Sequence, residues 1–271
     1  MAINDISLTA GMRANLISLQ GTVELLNRTQ ERLATGKKIN SALDGPTAYF
    51  ASQSLLARAS DLAVLKDGMG QAIQTIKAAD AGIKGITALI EAAKGLAQSA
   101  RTEDSTGRAD LATQFGALMS QIDDLATDSG YQGTNLLDDD DLTVDFNEDA
   151  TSSLTVSGFD ASSSGLGIAA AAGSWASDAN IDAAVTDLDE AISTLRTEAT
   201  TLSSNLNVVT TREDFTTNMI KALTEGSDKL TLADMNEEGA NMLMLQTRQA
   251  LGVTALSLSA QAAQSVLRLF A

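Results

Sequence analysis

Carboxylates are the residues of this chain best equipped for chemistry. Asp138-Asp139-Asp140-Asp141 form an unbroken run, with Asp145, Glu148 and Asp149 close behind. Clustered carboxylates suit a hard cation such as Ca²⁺. The stretch lacks the glycine and the terminal Glu spacing of an EF-hand loop, however, and reads as a solvated acidic loop. Gly68-Met69-Gly70 and Gly165-Leu166-Gly167 carry no Lys-Ser/Thr to complete a phosphate loop. Asn27-Arg28-Thr29 fits the N-glycosylation acceptor pattern, but it lies within a helical pattern and reads as helix surface. The chain contains neither His nor Cys. Imidazole bases, Ser-His-Asp and Cys-His nucleophiles, Cys/His metal centres and disulfides are thereby excluded. Composition offers no positive support for the carboxylate, Lys, Tyr or hydroxyl chemistry that remains, so no catalytic residue, metal or cofactor is expected.

Other counts point to architecture. The chain has 271 residues, 44% of them apolar and only 3% aromatic, with a single proline, Pro46. Enough apolar surface exists to bury a core, and a core of Ala, Leu, Ile and Met suits long helices in close approach. A net charge of −17 argues against nucleic acid or an anionic membrane as partner, because like charges repel. No window approaches eighteen uninterrupted apolar residues, so no membrane insertion is expected. Asp5 and the missing apolar h-region argue against a cleaved Sec signal.

From Met12 the positions Met12, Leu16, Leu19, Val23, Leu26 and Leu33 alternate steps of four and three, with Gln30 in the remaining slot. That is the seam of a helix that packs on another helix. Gly36 and two lysines suit its C-terminus, and residues 37–47 form a linker. A second long helix runs from Ala48 to Arg101, seamed by Ile76, Ala79, Ile83, Ile86, Ile90, Ala93, Ala97 and Ala100. Its interior glycines, Gly68, Gly70, Gly82, Gly85 and Gly95, each cost about 1 kcal/mol relative to Ala, which packing must offset. Leu111, Phe115, Leu118, Ile122 and Leu125 seam a third helix. Leu142–Phe146 and Leu154–Ser157 alternate as a β-hairpin within an insertion, 138–178, whose remainder reads as exposed loop. A fourth helix carries Leu188, Ile192, Leu195, Ala199, Leu202, Leu206 and Val209. The soft patch Thr224–Asp228 lies in a second linker, 224–233.

The last helix, 234–271, shows two apolar seams: Leu251, Ala255, Leu258, Ala262 and Leu269, and Val253, Leu256, Ala260, Ala263, Leu267 and Phe270. One partner helix cannot cover both, so other subunits must. The expected fold is mainly α: a long antiparallel helical rod or coiled-coil bundle with a small β-hairpin insertion and paired N- and C-terminal helices. Terminal segments 1–36 and 234–271 form one domain and 48–223 the other. Sticky ends on a soluble middle are the layout of a polymerising subunit.

Four stretches then carry a resemblance. Leu25-Leu26-Asn27-Arg28-Thr29-Gln30-Glu31-Arg32-Leu33-Ala34-Thr35-Gly36-Lys37-Lys38-Ile39-Asn40-Ser41-Ala42 resembles the segment of bacterial flagellin that ends its first helix and enters the spoke. Leu43-Asp44-Gly45-Pro46-Thr47 is similar to the variant found in alphaproteobacterial flagellins. Ser129-Gly130-Tyr131-Gln132-Gly133-Thr134-Asn135-Leu136-Leu137 resembles the family's turn into its hairpin, and Leu258–Phe270 its terminal helix. The order and placement of the four match over essentially the whole chain.

The resemblance implies a short flagellin without outer variable domains, a structural subunit that polymerises into the flagellar filament for swimming motility. It implies an inner core of the terminal helices and an outer core of the rest. The partners it implies are further copies or sister flagellins, an export chaperone at the C-terminal helix, the type III export apparatus, and cap and junction proteins, with an extracellular destination. Thr151, Ser152, Ser153, Thr155, Ser162, Ser163 and Ser164 become candidate O-glycosylation sites, as in surface loops of similar flagellins. Ile90–Leu96 aligns with the helix surface that vertebrate innate immunity reads, with Ala92 and Gly95 where the family carries Arg and Glu. Losing a charged anchor costs about 2 kcal/mol, so weak receptor activation is expected. A hook–filament junction protein, or another helical polymer-forming adaptor, is the alternative; a metalloprotease insertion would need an H-E-x-x-H helix that a histidine-free chain lacks.

Overall fold

A computed structural model describes residues 10–269. Five helices and one hairpin follow in the order α1 (Ala10–Thr35), α2 (Pro46–Ala100), α3 (Ser105–Asp128), β1 (Leu142–Asp145), β2 (Ser153–Val156), α4 (Asp178–Thr231) and α5 (Met235–Leu269). Pro46 opens α2 as its first residue, where its missing N–H costs nothing and its fixed φ favours the helix. Asp104 caps α3, accepting from the backbone N–H groups of Thr106 and Gly107. No helix of the described residues is long and apolar enough to cross a membrane.

The chain divides into two compact units, one of residues up to Ala57 together with those from Leu223 onward, the other Arg58–Ala222. In the second unit all eight seam positions of α2 are buried, from Ile76 to Ala100. They face Leu188, Ile192, Leu195, Leu202 and Val209 of α4 in one core, with Ala199 and Leu206 partly buried against it. Ion pairs show that α2 and α4 run antiparallel, since Arg101 meets Asp182 while Lys94 meets Asp189. Helix α3 adds Ala112, Phe115, Met119, Ile122 and Ala126 to the same core.

The hairpin forms where alternation placed it. Leu142 pairs with Val156, Thr143 with Thr155, Val144 with Leu154 and Asp145 with Ser153. Val144 and Val156 are buried, while Thr143 and Thr155 face outward.

Two expectations are corrected. Residues 157–177 are not simply an exposed loop: Ala161, Leu166, Ile168 and Trp175 are buried in the core. Trp175, the chain's sole tryptophan, packs on Phe115 with ring centroids 5.0 Å apart at the end of a turn, Ala172–Trp175. That turn holds Gly173, Ser174 and Trp175 at positive φ, a strain of about 1–3 kcal/mol per non-glycine residue that burial of the indole offsets. Polar composition obscured these scattered apolar anchors. Nor is 224–233 a linker through most of its length, because α4 continues to Thr231. Ser227 is buried there and Leu55 Cδ1 lies 3.4 Å from the position a Cβ on Gly226 would take. Tertiary packing has overridden the weak helix propensity of the Gly-Ser pair.

The candidate assembly surface

Helices α1 and α5 pack on each other. They run antiparallel, for Arg32 pairs with Glu238 near one end while Leu19 Cδ1 approaches Gly252 further along. Leu19 lies 3.0 Å from where a Gly252 Cβ would stand, so the glycine lets the two helices come close. On α1, Met12 is buried, and Leu16, Leu19, Val23, Leu26 and Leu33 are half-buried. Thr29 is buried and Gln30 exposed, the reverse of the expected slot. Steps of three and four are interchangeable across a broad helix face, so periodicity alone does not choose between adjacent positions.

The face of α5 turned inward is Glu238, Met242, Leu245, Gln249, Gly252, Leu256 and Ala263, each buried or half-buried. Of the two seams read from the sequence, the second supplies Leu256 and Ala263 to this face, with its Ala260 half-buried at the edge, but its Val253 is exposed. The first is turned away from α1, with Leu251 65% and Leu258 62% exposed. Apolar periodicity marks only part of the inward face, because three of its members are Glu, Gln and Gly. Only their spacing signalled it. The side chains of Leu267 and Leu269, all of Phe270, and residues 1–9 lie outside the described residues.

A polar lock closes the base of the pair. Asp234 accepts from the N–H groups of Asn236 and Glu237, starting α5. Arg32 Nη1 donates to Glu238 Oε1 at 2.9 Å, with the Glu238 side chain only 8% exposed. Glu238 also sits in the first turn of α5, where the helix dipole favours an anion. Glu238→Ala will leave the Arg32 guanidinium without this acceptor and destabilise the pair by about 1–2 kcal/mol. Faster amide exchange in α1 and the first turns of α5 checks this; unchanged exchange would refute it.

Between α1 and α2 the chain is tied down. Lys38 N–H and Ile39 N–H both donate to Thr231 O, and Ala233 N–H donates to Gly36 O. Asp44 Oδ2 accepts from Ser41 N–H, Ser41 Oγ and Asn40 N–H. These bonds hold its carboxyl below the ordinary carboxylate value, the Ser41 backbone bond foremost. Gly36 takes φ +69°, the left-handed position that ends α1.

The acidic run is occupied structurally. Asp140 accepts from Asn135 N–H and Asp141 from Gly158 N–H. Arg58 Nε donates to Glu148 at 2.8 Å, and the Glu148 carboxyl is held below its ordinary value by its own backbone N–H and by Arg58. No group of three or more potential ligands converges for a metal among the described residues. Of the candidate glycan acceptors, Thr151, Ser153, Thr155 and Ser164 are exposed, whereas Ser152, Ser162 and Ser163 are half-buried.

Sequence comparison decides the family. The model of the bacterial flagellin N-terminal helical region matches residues 3–141, and that of the C-terminal helical region matches 180–270. The chain belongs to the bacterial flagellin family. Flagellins FljK and FljM of Caulobacter vibrioides are each 30% identical to it, covering all of both chains. A flagellin of Brucella melitensis is 26% identical over 94% of this chain and 95% of its own. A crystal structure of Bacillus cereus flagellin superposes with a TM-score of 0.49 at 20% identity, covering 55% of this chain and 88% of that one. In this flagellin the stretch between the two matched regions holds β1, β2 and the Trp175 turn.

Proposed function

We propose that this flagellin, a structural subunit of the bacterial flagellar filament, polymerises through the paired helices α1 and α5, which serve as its inner-core domain, with 48–223 as the outer core. The carrying observation is the apolar surface that α1 leaves uncovered on α5: Leu251 and Leu258, on the face turned away from α1, are 65% and 62% exposed, and Val253 on another side is 52% exposed. Ile17 on α1 and Leu243 on α5 extend the same character, at 68% and 67%. An apolar surface of this kind calls for cover, and neighbouring copies supply it in a helical polymer. Before assembly, an export chaperone covers the C-terminal helix. The chain passes the flagellar type III apparatus and is placed beneath the cap, beyond the junction proteins, outside the cell. Its role is structural and not catalytic.

Removing residues from Leu251 onward is the direct test. Filaments will be lost, while Arg58–Ala222 stays folded and Trp175 keeps the emission of a buried indole. Filaments that persist would overturn the inner-core assignment. The exposed hydroxyls of Thr151, Ser153, Thr155 and Ser164 are proposed to carry O-linked sugar; an intact mass equal to the sequence would end that reading.

A further inference from the structure

A helical polymer requires a heterologous contact, in which a feature of one copy fits a different feature of the next. Leu43 is a conspicuous candidate for the inserted feature. At 96% it is the most exposed large hydrophobic side chain among those described. It does not sit on a loose loop. Asp44 Oδ2 gathers three donors beneath it, Asp44 N–H donates to Ser41 O, and the preceding strand-like segment is bonded to Thr231. Ile39 folds against Gly45, its Cδ1 lying 3.2 Å from where a Cβ would be. An apolar side chain held out on a preorganised turn loses little conformational entropy on docking.

The receiving feature lies in the unit Arg58–Ala222. A groove of about 300 Å³ opens between α2 and β1, lined by Val64, Leu65, Gly68, Ala72, Tyr131 and Val144. Val64 is 71% exposed on its wall, and nothing lies within 4 Å of the Cβ position at Gly68. The Tyr131 hydroxyl donates to Gln71 Oε1 at 3.0 Å, which fixes the far wall. Charge favours the same match. Exposed Lys37 and Lys38 lie just ahead of the Leu43 turn, whereas exposed Asp145 lines the groove and Asp138–Asp141 precede β1. In a chain with 18 basic and 35 acidic residues, a Lys-Lys pair beside the protruding leucine is a local complement to Asp145 at the groove.

We infer that Leu43 of one copy inserts into the groove between α2 and β1 of a second copy, with Lys37 and Lys38 facing Asp145, and that this contact propagates the filament. The inference rests on filament assembly by this chain. Because the sequence has no cysteine, engineered cysteines report the contact without background. Copies carrying Leu43→Cys are mixed with copies carrying Val64→Cys, copolymerised with unsubstituted protein and treated with a mild thiol oxidant. Covalent dimers are expected from this pair, and none when Val208→Cys replaces Val64→Cys. Leu43→Asp, a change at a side chain open to solvent, is expected to retain its helical spectrum and raise the critical concentration about tenfold or more. Filaments that form without the Leu43→Cys/Val64→Cys dimer, or a Leu43→Asp chain assembling at the unsubstituted critical concentration, would overturn the contact and leave the filament role intact. Failure of the unsubstituted chain to polymerise would instead strike the assembly reading itself.

Discussion

A chain carrying both Leu251→Glu and Leu258→Glu will fold as a monomer and will not polymerise. Both leucines are mostly exposed, and neither faces α1. Surface replacements of this kind change monomer stability by about 0.5 kcal/mol or less, and glutamate is a good helix former. In the proposed assembly the same positions are enclosed by neighbours. Removing an ion from water without a partner costs several kcal/mol, and two such charges per subunit recur at every contact along the polymer. The penalty therefore exceeds what a single weakened contact would produce. Circular dichroism of the monomer and sedimentation after seeding separate the two effects. Pelletable filaments at the unsubstituted critical concentration would show that this face of α5 is not buried by assembly.

Gly82→Ala will destabilise the Arg58–Ala222 unit, and Gly95→Ala will stabilise it, although both glycines interrupt the same helix. Alanine is favoured over glycine in a helix interior by about 1 kcal/mol. At Gly95 nothing lies within 4 Å of the new methyl, so that gain is realised. At Gly82 the methyl would stand 2.3 Å from Ser129 Oγ and 2.6 Å from Leu137 Cδ1. Neither neighbour can retreat freely. Ser129 Oγ is bonded to Leu125 O at 2.6 Å, and Leu137 is fully buried. Overpacking of this sort costs about 1–3 kcal/mol, enough to cancel or exceed the helical gain. Urea midpoints followed by Trp175 emission will move in opposite directions, and a common upward shift would refute the close approach.

The opposed signs at Gly82 and Gly95 show how far periodicity reaches. Repeating Ile and Ala in α2, and Leu, Ile and Val in α4, identify core faces because each repeat falls on one side of a helix, and those residues are buried in the core or packed against it. The hairpin was legible for the analogous reason, through alternation at Leu142–Phe146 and Leu154–Ser157, where β1 and β2 form within one residue of those bounds. Where the inward residue is small or polar, the pattern goes silent. Thr29, Glu238, Gln249 and Gly252 hold the α1–α5 pair without the hydrophobicity that marks a seam.

Local sequence determined the helical class, the positions of the long helices, the hairpin and the family, because backbone geometry converts spacing directly into faces. The absence of His and Cys likewise closed off whole chemistries before any packing was considered. Tertiary structure alone decided which apolar face of α5 meets α1, which glycines of α2 are close contacts, and that α4 runs through its Gly-Ser patch. It also drew Trp175 out of a polar stretch into the core. Those outcomes depend on what stands opposite a residue, a distance across space that no interval along the chain encodes.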